Sequence, residues 1–174
     1  MCALIPVAAG TAATLQILRS SRECIGKAGL TVGACLALQA RMALIRSQLA
    51  YDAIGAAIEV HRHNGPGLYE SVYDPCYARA LTKRRLSFER QVEIPVVYDG
   101  IRVGPAFRAD YIIEGELLVE LKAVGQIHPL HESQVLTYLK LSGLPQALLI
   151  NFNVQVLRHG VKSFLNSSPH PRFR

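Results

Sequence analysis

Tryptophan is absent from this 174-residue chain, and its four cysteines form no C-x-x-C pair. The thiols are scattered and have no histidine at metal-ligand spacing, so the sequence predicts no zinc site. Thiols spread in this way suit a reducing compartment, and we expect a cytoplasmic protein. The glycine-rich patterns G-x-x-x-x-G-K-[ST] and G-x-G-x-x-G are also missing, which excludes the two common phosphate-cradling loops.

Long apolar runs with the flanks of a membrane or secretion signal are missing too. Residues 1–18 lack a basic start, and Gln39 and Arg41 interrupt the apolar stretch 28–45. Neither segment has the pattern of a signal peptide or a membrane span, so we expect no membrane partner. We predict a poorly ordered or accessory N-terminal extension over residues 1–47, a main domain over 48–166 and a flexible tail over 167–174. Met42 stands where that domain would begin.

The charge distribution gives only local support for a nucleic-acid partner. The formal net charge is +6, but +4 of it falls in residues 1–51, which leaves +2 for the rest. A denser group of cations lies at the end of a predicted helix, and we expect it to contact nucleic acid: Arg79, Lys83, Arg84 and Arg85. The alternative is an ordinary solvated helix end, where cations are favoured anyway.

The most informative charged residues flank a short apolar hairpin. Asp110 precedes this hairpin, Glu120 follows it, and the turn between them is Glu114-Gly115-Glu116. A three-residue turn places Asp110 directly opposite Glu120, with Cβ atoms about 4.5–5.5 Å apart. Strand alternation then puts Lys122 on the same sheet face as Glu120. A two-residue turn would instead place Asp110 opposite Val119, so the register depends on the turn.

Two acids and a lysine on one sheet face suit Mg²⁺-dependent cleavage of phosphodiester bonds. Two adjacent carboxylates repel each other, and a divalent cation between them removes this repulsion. Mg²⁺ retains several waters and needs only one or two carboxylates. It polarises a phosphoryl oxygen and activates a bound water, which a lysine ammonium can orient. The alternative is a solvated hairpin whose outer face carries these three charges.

Several motifs in order resemble the GxxExxY protein family, a branch of the PD-(D/E)XK nuclease superfamily. The resemblance covers residues 51–164, about two thirds of the chain. The motif that names the family reads Gly67-Leu68-Tyr69-Glu70-Ser71-Val72-Tyr73. Further matching segments are Gly55–His61, Val119–Ala123, His131–Gln134, Tyr138–Lys140 and Leu149–Phe152. The resemblance implies a metal-dependent nuclease core.

The resemblance also implies roles for particular residues. Asp110 and Glu120 match the metal-binding acids of the superfamily, and Lys122 matches its catalytic lysine. Glu70 resembles the helical acid that some branches add to the metal site. Gln134 and Tyr138 match a Gln-x-x-x-Tyr motif, and their spacing of four puts them on one helix face. We therefore expect Glu70, Asp110 and Glu120 as metal ligands, and Lys122, Gln134 and Tyr138 as catalytic residues.

The coarse order of elements predicts an α+β fold, a mixed sheet with helices on both sides as in PD-(D/E)XK nucleases. We expect helices over 48–63, 68–85 and 131–141, with Pro75 breaking or restarting the second. Strands are expected over 88–98, 101–103, 106–113, 117–123 and 147–152, with 154–159 a possible addition.

The sequence thus predicts a hydrolase, a nuclease that uses Mg²⁺ or Mn²⁺ to cleave DNA, with RNA as the alternative substrate. A non-catalytic nucleic-acid-binding or interaction module on the same fold is the competing hypothesis. A purely structural domain is the third, and it would bind neither metal nor nucleic acid. The sequence leaves the oligomeric state open.

Overall fold

The computed structural model describes residues 32–104 and 107–166, with side chains from residue 48 onward. Most of the predicted extension 1–47 and the predicted tail 167–174 therefore lie outside the described residues. The chain divides into two units, the second of which runs from Arg46 to Arg174. The helices that the structure describes include none with the length and hydrophobicity of a membrane span.

Three helices and seven strands make up the described chain. The helices are α1 (Val32–Asn64), α2 (Glu70–Lys83) and α3 (Pro129–Ser142). The strands are β1 (Phe88–Ile94), β2 (Val97–Tyr98), β3 (Ile101–Arg102), β4 (Phe107–Ile113), β5 (Leu117–Lys122), β6 (Gln146–Asn151) and β7 (Val161–Leu165). A short 3₁₀ helix, Leu157–Gly160, precedes β7.

A five-stranded mixed sheet in the order β1-β4-β5-β6-β7 forms the centre of the fold. The pair β5–β6 is parallel, and the other pairs are antiparallel. One core joins α1 and α2 to the sheet through side chains such as Tyr77, Tyr111 and Val119. A second core joins α3 to the other face through side chains such as Leu118 and Leu139. The predicted α+β sheet with helices on both sides is confirmed.

The hairpin β4–β5 has the predicted three-residue turn. Ile113 pairs with Leu117, and the ladder ends at Tyr111 and Val119. Glu114 and Gly115 both have positive φ, +48° and +67°, and the Glu116 N–H donates to the Ile113 carbonyl at 3.0 Å. Continuing this register by one residue places Asp110 opposite Glu120. The alternative register, with Asp110 opposite Val119, is therefore excluded.

Some element predictions were wrong in detail. The strand predicted over 88–98 ends at Ile94, because Pro95 follows and proline cannot donate to a ladder. The next two short strands form a separate hairpin, so the segment 101–103 does not continue the main sheet. Pro75 does not break α2, which is continuous from Glu70 to Lys83. The segment 154–159 adds no strand, since part of it forms the 3₁₀ helix.

Candidate active site

Asp110 and Glu120 lie where β4 and β5 part at the end of their ladder. Asp110 occupies this gap, and its Oδ2 accepts a hydrogen bond of 2.8 Å from the backbone N–H of Leu121. Glu120 is only 3% exposed. Its Oε1 accepts hydrogen bonds from Lys122 and Gln134, whereas its buried Oε2 has no hydrogen-bond partner among the described residues. A buried carboxylate oxygen without a donor is costly unless a cation or a proton meets it.

Burial and mutual repulsion raise the pKa values of the acids in this cluster. Burial, together with the charge of Asp110, raises the pKa of Glu120 to about 7, although Lys122 opposes the shift. Burial also raises the pKa of Asp110, against the stabilising hydrogen bond from Leu121. The pKa of Glu70 rises for the same reason, desolvation. Three carboxyl groups with raised pKa values are typical of a site prepared for a cation.

Lys122 connects the acid of β5 with the acid of α2. Its Nζ lies 2.8 Å from Glu120 Oε1 and 3.9 Å from Glu70 Oε2. Burial alone would lower the pKa of Lys122, but the surrounding carboxylates outweigh it and raise this pKa. The raised pKa keeps the ammonium of Lys122 charged, and its side chain is 14% exposed and thus largely shielded from bulk water. The structure thus brings the predicted catalytic lysine together with the predicted metal ligands.

Gln134 and Tyr138 approach Glu120 from α3. The Gln134 amide donates to Glu120 Oε1 at 3.3 Å and to the Tyr138 hydroxyl at 2.5 Å. Tyr138 is 5% exposed and packs against the ring of Phe107. The pair therefore acts on Glu120 by holding one of its oxygens. Such an arrangement suits positioning residues better than groups that touch a substrate.

The segment that contains Glu70 is held by Tyr73. The Tyr73 hydroxyl donates to the Gly65 carbonyl at 2.6 Å and accepts from the Leu68 N–H at 3.2 Å. Its ring stacks on Phe152, with centroids 4.5 Å apart. Gly67 has a φ of +99°, which glycine adopts without strain. Residues of the Gly-x-x-Glu-x-x-Tyr segment thus fix the turn that delivers Glu70 to Lys122.

Asn151 fixes the chain on the other side of Lys122. It is 2% exposed, and its carboxamide exchanges two hydrogen bonds with the backbone of Val124. The Phe152 N–H also donates to the Lys122 carbonyl at 2.8 Å. Sequence reasoning assigned no role to Asn151, although this residue belongs to one of the matching segments. An asparagine at the end of a buried apolar strand was the available signal.

Sequence reasoning missed a second group of polar residues beside the acids. Asp74, one turn after Glu70 on α2, pairs with Arg90 and accepts from the Tyr111 hydroxyl. Gln91 donates to Asp110 Oδ1 at 3.1 Å. A cavity of about 190 Å³ lies among these residues and is lined by Glu70, Ser71, Asp74, Gln91, Asp110 and Leu121. The sequence carries no spacing signal for these contacts, because they join separate elements.

The predicted nucleic-acid-binding cations lie at the far end of α2. The helix has 14 residues, so its C-terminal end lies about 20 Å along the axis from Glu70. Lys83 and Arg84 both pair with Glu59 of α1, while Arg79 lines a separate cavity of about 340 Å³. Arg85 follows the helix with a φ of +59°. The structure does not bring these cations to the acids, and their contact with nucleic acid stays a prediction.

The residues around Lys122 fit a divalent cation with water ligands. Among the described side chains, no three His, Cys, Asp or Glu groups converge as a complete ligand set. Mg²⁺ does not need one, because it is commonly held by one or two carboxylates plus water. Asp110 and Glu120 supply this pair, and the partnerless Glu120 Oε2 is the ligand atom best suited to it.

Comparison with protein families identifies the class of this chain. A model of the PD-(D/E)XK nuclease superfamily matches residues 47–164. The chain therefore belongs to the PD-(D/E)XK nuclease superfamily, in which nucleic acid is the substrate and divalent metal ions are typical cofactors. No curated protein matches the chain, and no solved structure does.

Proposed function

We propose that this protein is a metal-dependent nuclease of the GxxExxY branch that hydrolyses phosphodiester bonds, with DNA the expected substrate and RNA the alternative. The observation that carries the proposal is the pair of Asp110, which is partly buried, and Glu120, which is 3% exposed and whose Oε2 has no donor among the described residues. Desolvation of the buried Glu120 and of the partly buried Asp110 and Lys122 costs stability, and a solvated outer hairpin face would avoid that cost. A bound cation would offset this desolvation cost, which accounts for the placement of the two acids next to each other inside the protein.

The side chains have distinct parts in the proposed reaction. Asp110 and Glu120 hold the cation, Mg²⁺ or Mn²⁺, and Glu70 supports it from α2. When bound, the cation supplies Lewis-acid polarisation of a phosphoryl oxygen and lowers the pKa of a water ligand. Lys122 orients the attacking water and stabilises the negative charge that develops on the phosphate. Gln134 and Tyr138 hold Glu120 in place, so in this proposal they position a ligand and do not touch the phosphate.

A non-catalytic nucleic-acid-binding module is the second candidate, and one contact favours it. The 2.8 Å pair between Lys122 and Glu120 compensates the acid without any metal. In such a module, Lys122 would pair with Glu120 when no nucleic acid is bound, and Lys122 alone would bind the phosphate.

A cleavage assay distinguishes these two candidates. The full chain is incubated with plasmid, linear and single-stranded DNA and with RNA, in Mg²⁺, in Mn²⁺ and in chelator. We expect metal-dependent cleavage by the wild type and about 10²–10³-fold slower cleavage by Lys122→Ala. The control is Lys140→Ala, which removes an exposed lysine of α3 and should leave the rate unchanged. Nucleic-acid binding without cleavage in either metal would favour the binding module.

A further inference from the structure

Gln91 has an unusual backbone conformation for a residue inside a strand. Its φ is +52°, in the left-handed region that side chains disfavour. Among the described residues, the other non-glycine positions with positive φ follow a helix or lie in hairpin turns: Arg85, Asp99 and Glu114. Gln91 instead lies in the middle of β1, where no turn requires a positive φ, so its left-handed conformation destabilises the strand without a turn to explain it.

This conformation interrupts the ladder at the candidate site. Arg90 pairs with Tyr111 and Val92 with Ala109, but no regular pair joins Gln91 to Asp110 between them. In a regular strand, consecutive side chains point to opposite faces. Here Arg90 contacts Asp74, and Gln91 lines the same cavity as Asp74. The left-handed residue therefore brings the Gln91 side chain to the cavity beside Asp74, the same residue that the preceding Arg90 contacts.

The contact that results is with a candidate metal ligand. The Gln91 amide donates to Asp110 Oδ1 at 3.1 Å, and the Leu121 N–H donates to Asp110 Oδ2 at 2.8 Å. Each carboxylate oxygen thus has one donor that fixes it and retains further lone-pair capacity. A donor on each oxygen removes the rotational freedom that a carboxylate would otherwise lose when it binds a cation.

We propose that Gln91 is a positioning residue, whose strained backbone aims its amide at Asp110 and holds this carboxylate ready for a divalent cation. The proposal rests on the metal-dependent nuclease function proposed above. Local strain that persists at a site where it serves a contact is a recurrent feature of functional sites. Gln91 acts through Asp110 and does not touch the cation or the substrate.

The matched variants Gln91→Gly and Gln91→Ala separate the side chain from the backbone. Both remove the amide, but glycine adopts a φ of +52° without strain and alanine does not. We expect Gln91→Gly to melt at a higher temperature than Gln91→Ala. Both should nevertheless bind Mn²⁺ about tenfold more weakly than the wild type, the loss typical of a removed ligand partner. Glu93→Ala, an exposed change on the same strand, is the control and should leave Mn²⁺ binding unchanged.

Hydrogen exchange at the Leu121 amide tests the positioning without any metal. If Gln91 holds Asp110, the hydrogen bond from Leu121 weakens in both variants, and exchange accelerates about fivefold, as loss of one net hydrogen bond predicts.

Recovery of both readouts in Gln91→Gly but not in Gln91→Ala would overturn the proposal, since backbone strain alone would then explain the defect. Unchanged Leu121 exchange in both variants would also overturn it. A wild type without Mn²⁺ binding or cleavage would refute the proposed function, while Leu121 exchange would still decide the role of Gln91.

Discussion

Replacement of Lys122 by methionine should make the stability of the metal-free protein depend more strongly on pH. Lys122 is the cation that contacts Glu120 at 2.8 Å and Glu70 at 3.9 Å, and Asp110 lies close enough to influence its pKa. Methionine keeps most of the side-chain length and removes the charge. Three acids would then share the site without a compensating ammonium.

The magnitude follows from the pKa of Glu120. This pKa is about 7 in the folded protein, against 4.5 for an ordinary glutamate, a difference that corresponds to about 3 kcal/mol. Because the folded state holds the proton more tightly, this stability is fully present below pH 4.5 and is lost as the pH rises through about 7. The charge of Lys122 opposes the shift, so its removal raises the pKa of Glu120 further and deepens the loss.

The cost of the substitution should therefore appear mainly where Glu120 is ionised. We expect Lys122→Met to lower the free energy of unfolding by about 2 kcal/mol at pH 8, less than the full cost of breaking a buried ion pair because Glu120 can take up a proton. At pH 5 the loss should be below about 1 kcal/mol. Urea unfolding in chelator at the two pH values measures both, with Lys140→Met as the exposed control. An equal loss at both pH values would refute the reasoning.

Three further predictions concern the loop before α2, the distant cations and the pH dependence of cleavage. Tyr73→Phe removes a hydroxyl that joins two loop backbone groups, and urea unfolding should show a loss of about 1–2 kcal/mol. The double variant Lys83→Ala and Arg84→Ala should reduce the slope of the logarithm of the DNA-binding constant against the logarithm of salt concentration by less than about 1, measured in chelator, because both cations are already paired with Glu59. A reduction of this slope near 2 would mean that both side chains contact phosphates. At Mg²⁺ concentrations well below saturation, the cleavage rate should rise as the pH increases through about 7, since the pKa of Glu120 in the metal-free protein is about 7 and this group must lose its proton to bind the cation; a rate that falls over this range would contradict the role of Glu120.

Local chemistry narrowed the register of the central hairpin to two possibilities. Gly115 suits a two-residue or a three-residue turn, and the observed pairing of Ile113 with Leu117 shows that the three-residue turn is formed. Asp110 therefore lies opposite Glu120, as predicted, and Lys122 follows by strand alternation. The same kind of local reasoning predicted the end of α3, where Gly143 follows the last helical residue with a φ of +67°.

Contacts between separate elements were not predictable in this way. Gln91 has no sequence feature that marks a left-handed conformation inside a strand, and its contact with Asp110 joins β1 to β4. Asp74 and Arg90 likewise meet only because α2 packs on the sheet. Pro75 misled the prediction of α2, because packing of Tyr73 and Tyr77 in the core outweighs the intrinsic cost of a proline within a helix.

In the proposed function, Asp110 and Glu120 together bind a divalent cation. Titration of the full-length chain with Mn²⁺ by isothermal calorimetry measures this binding, with Asp110→Asn as the matched variant. We expect saturable binding to the wild type at one or two sites, and affinity at least about tenfold weaker in Asp110→Asn. Absence of Mn²⁺ binding to the wild type, or equal affinity in the variant, would contradict the account.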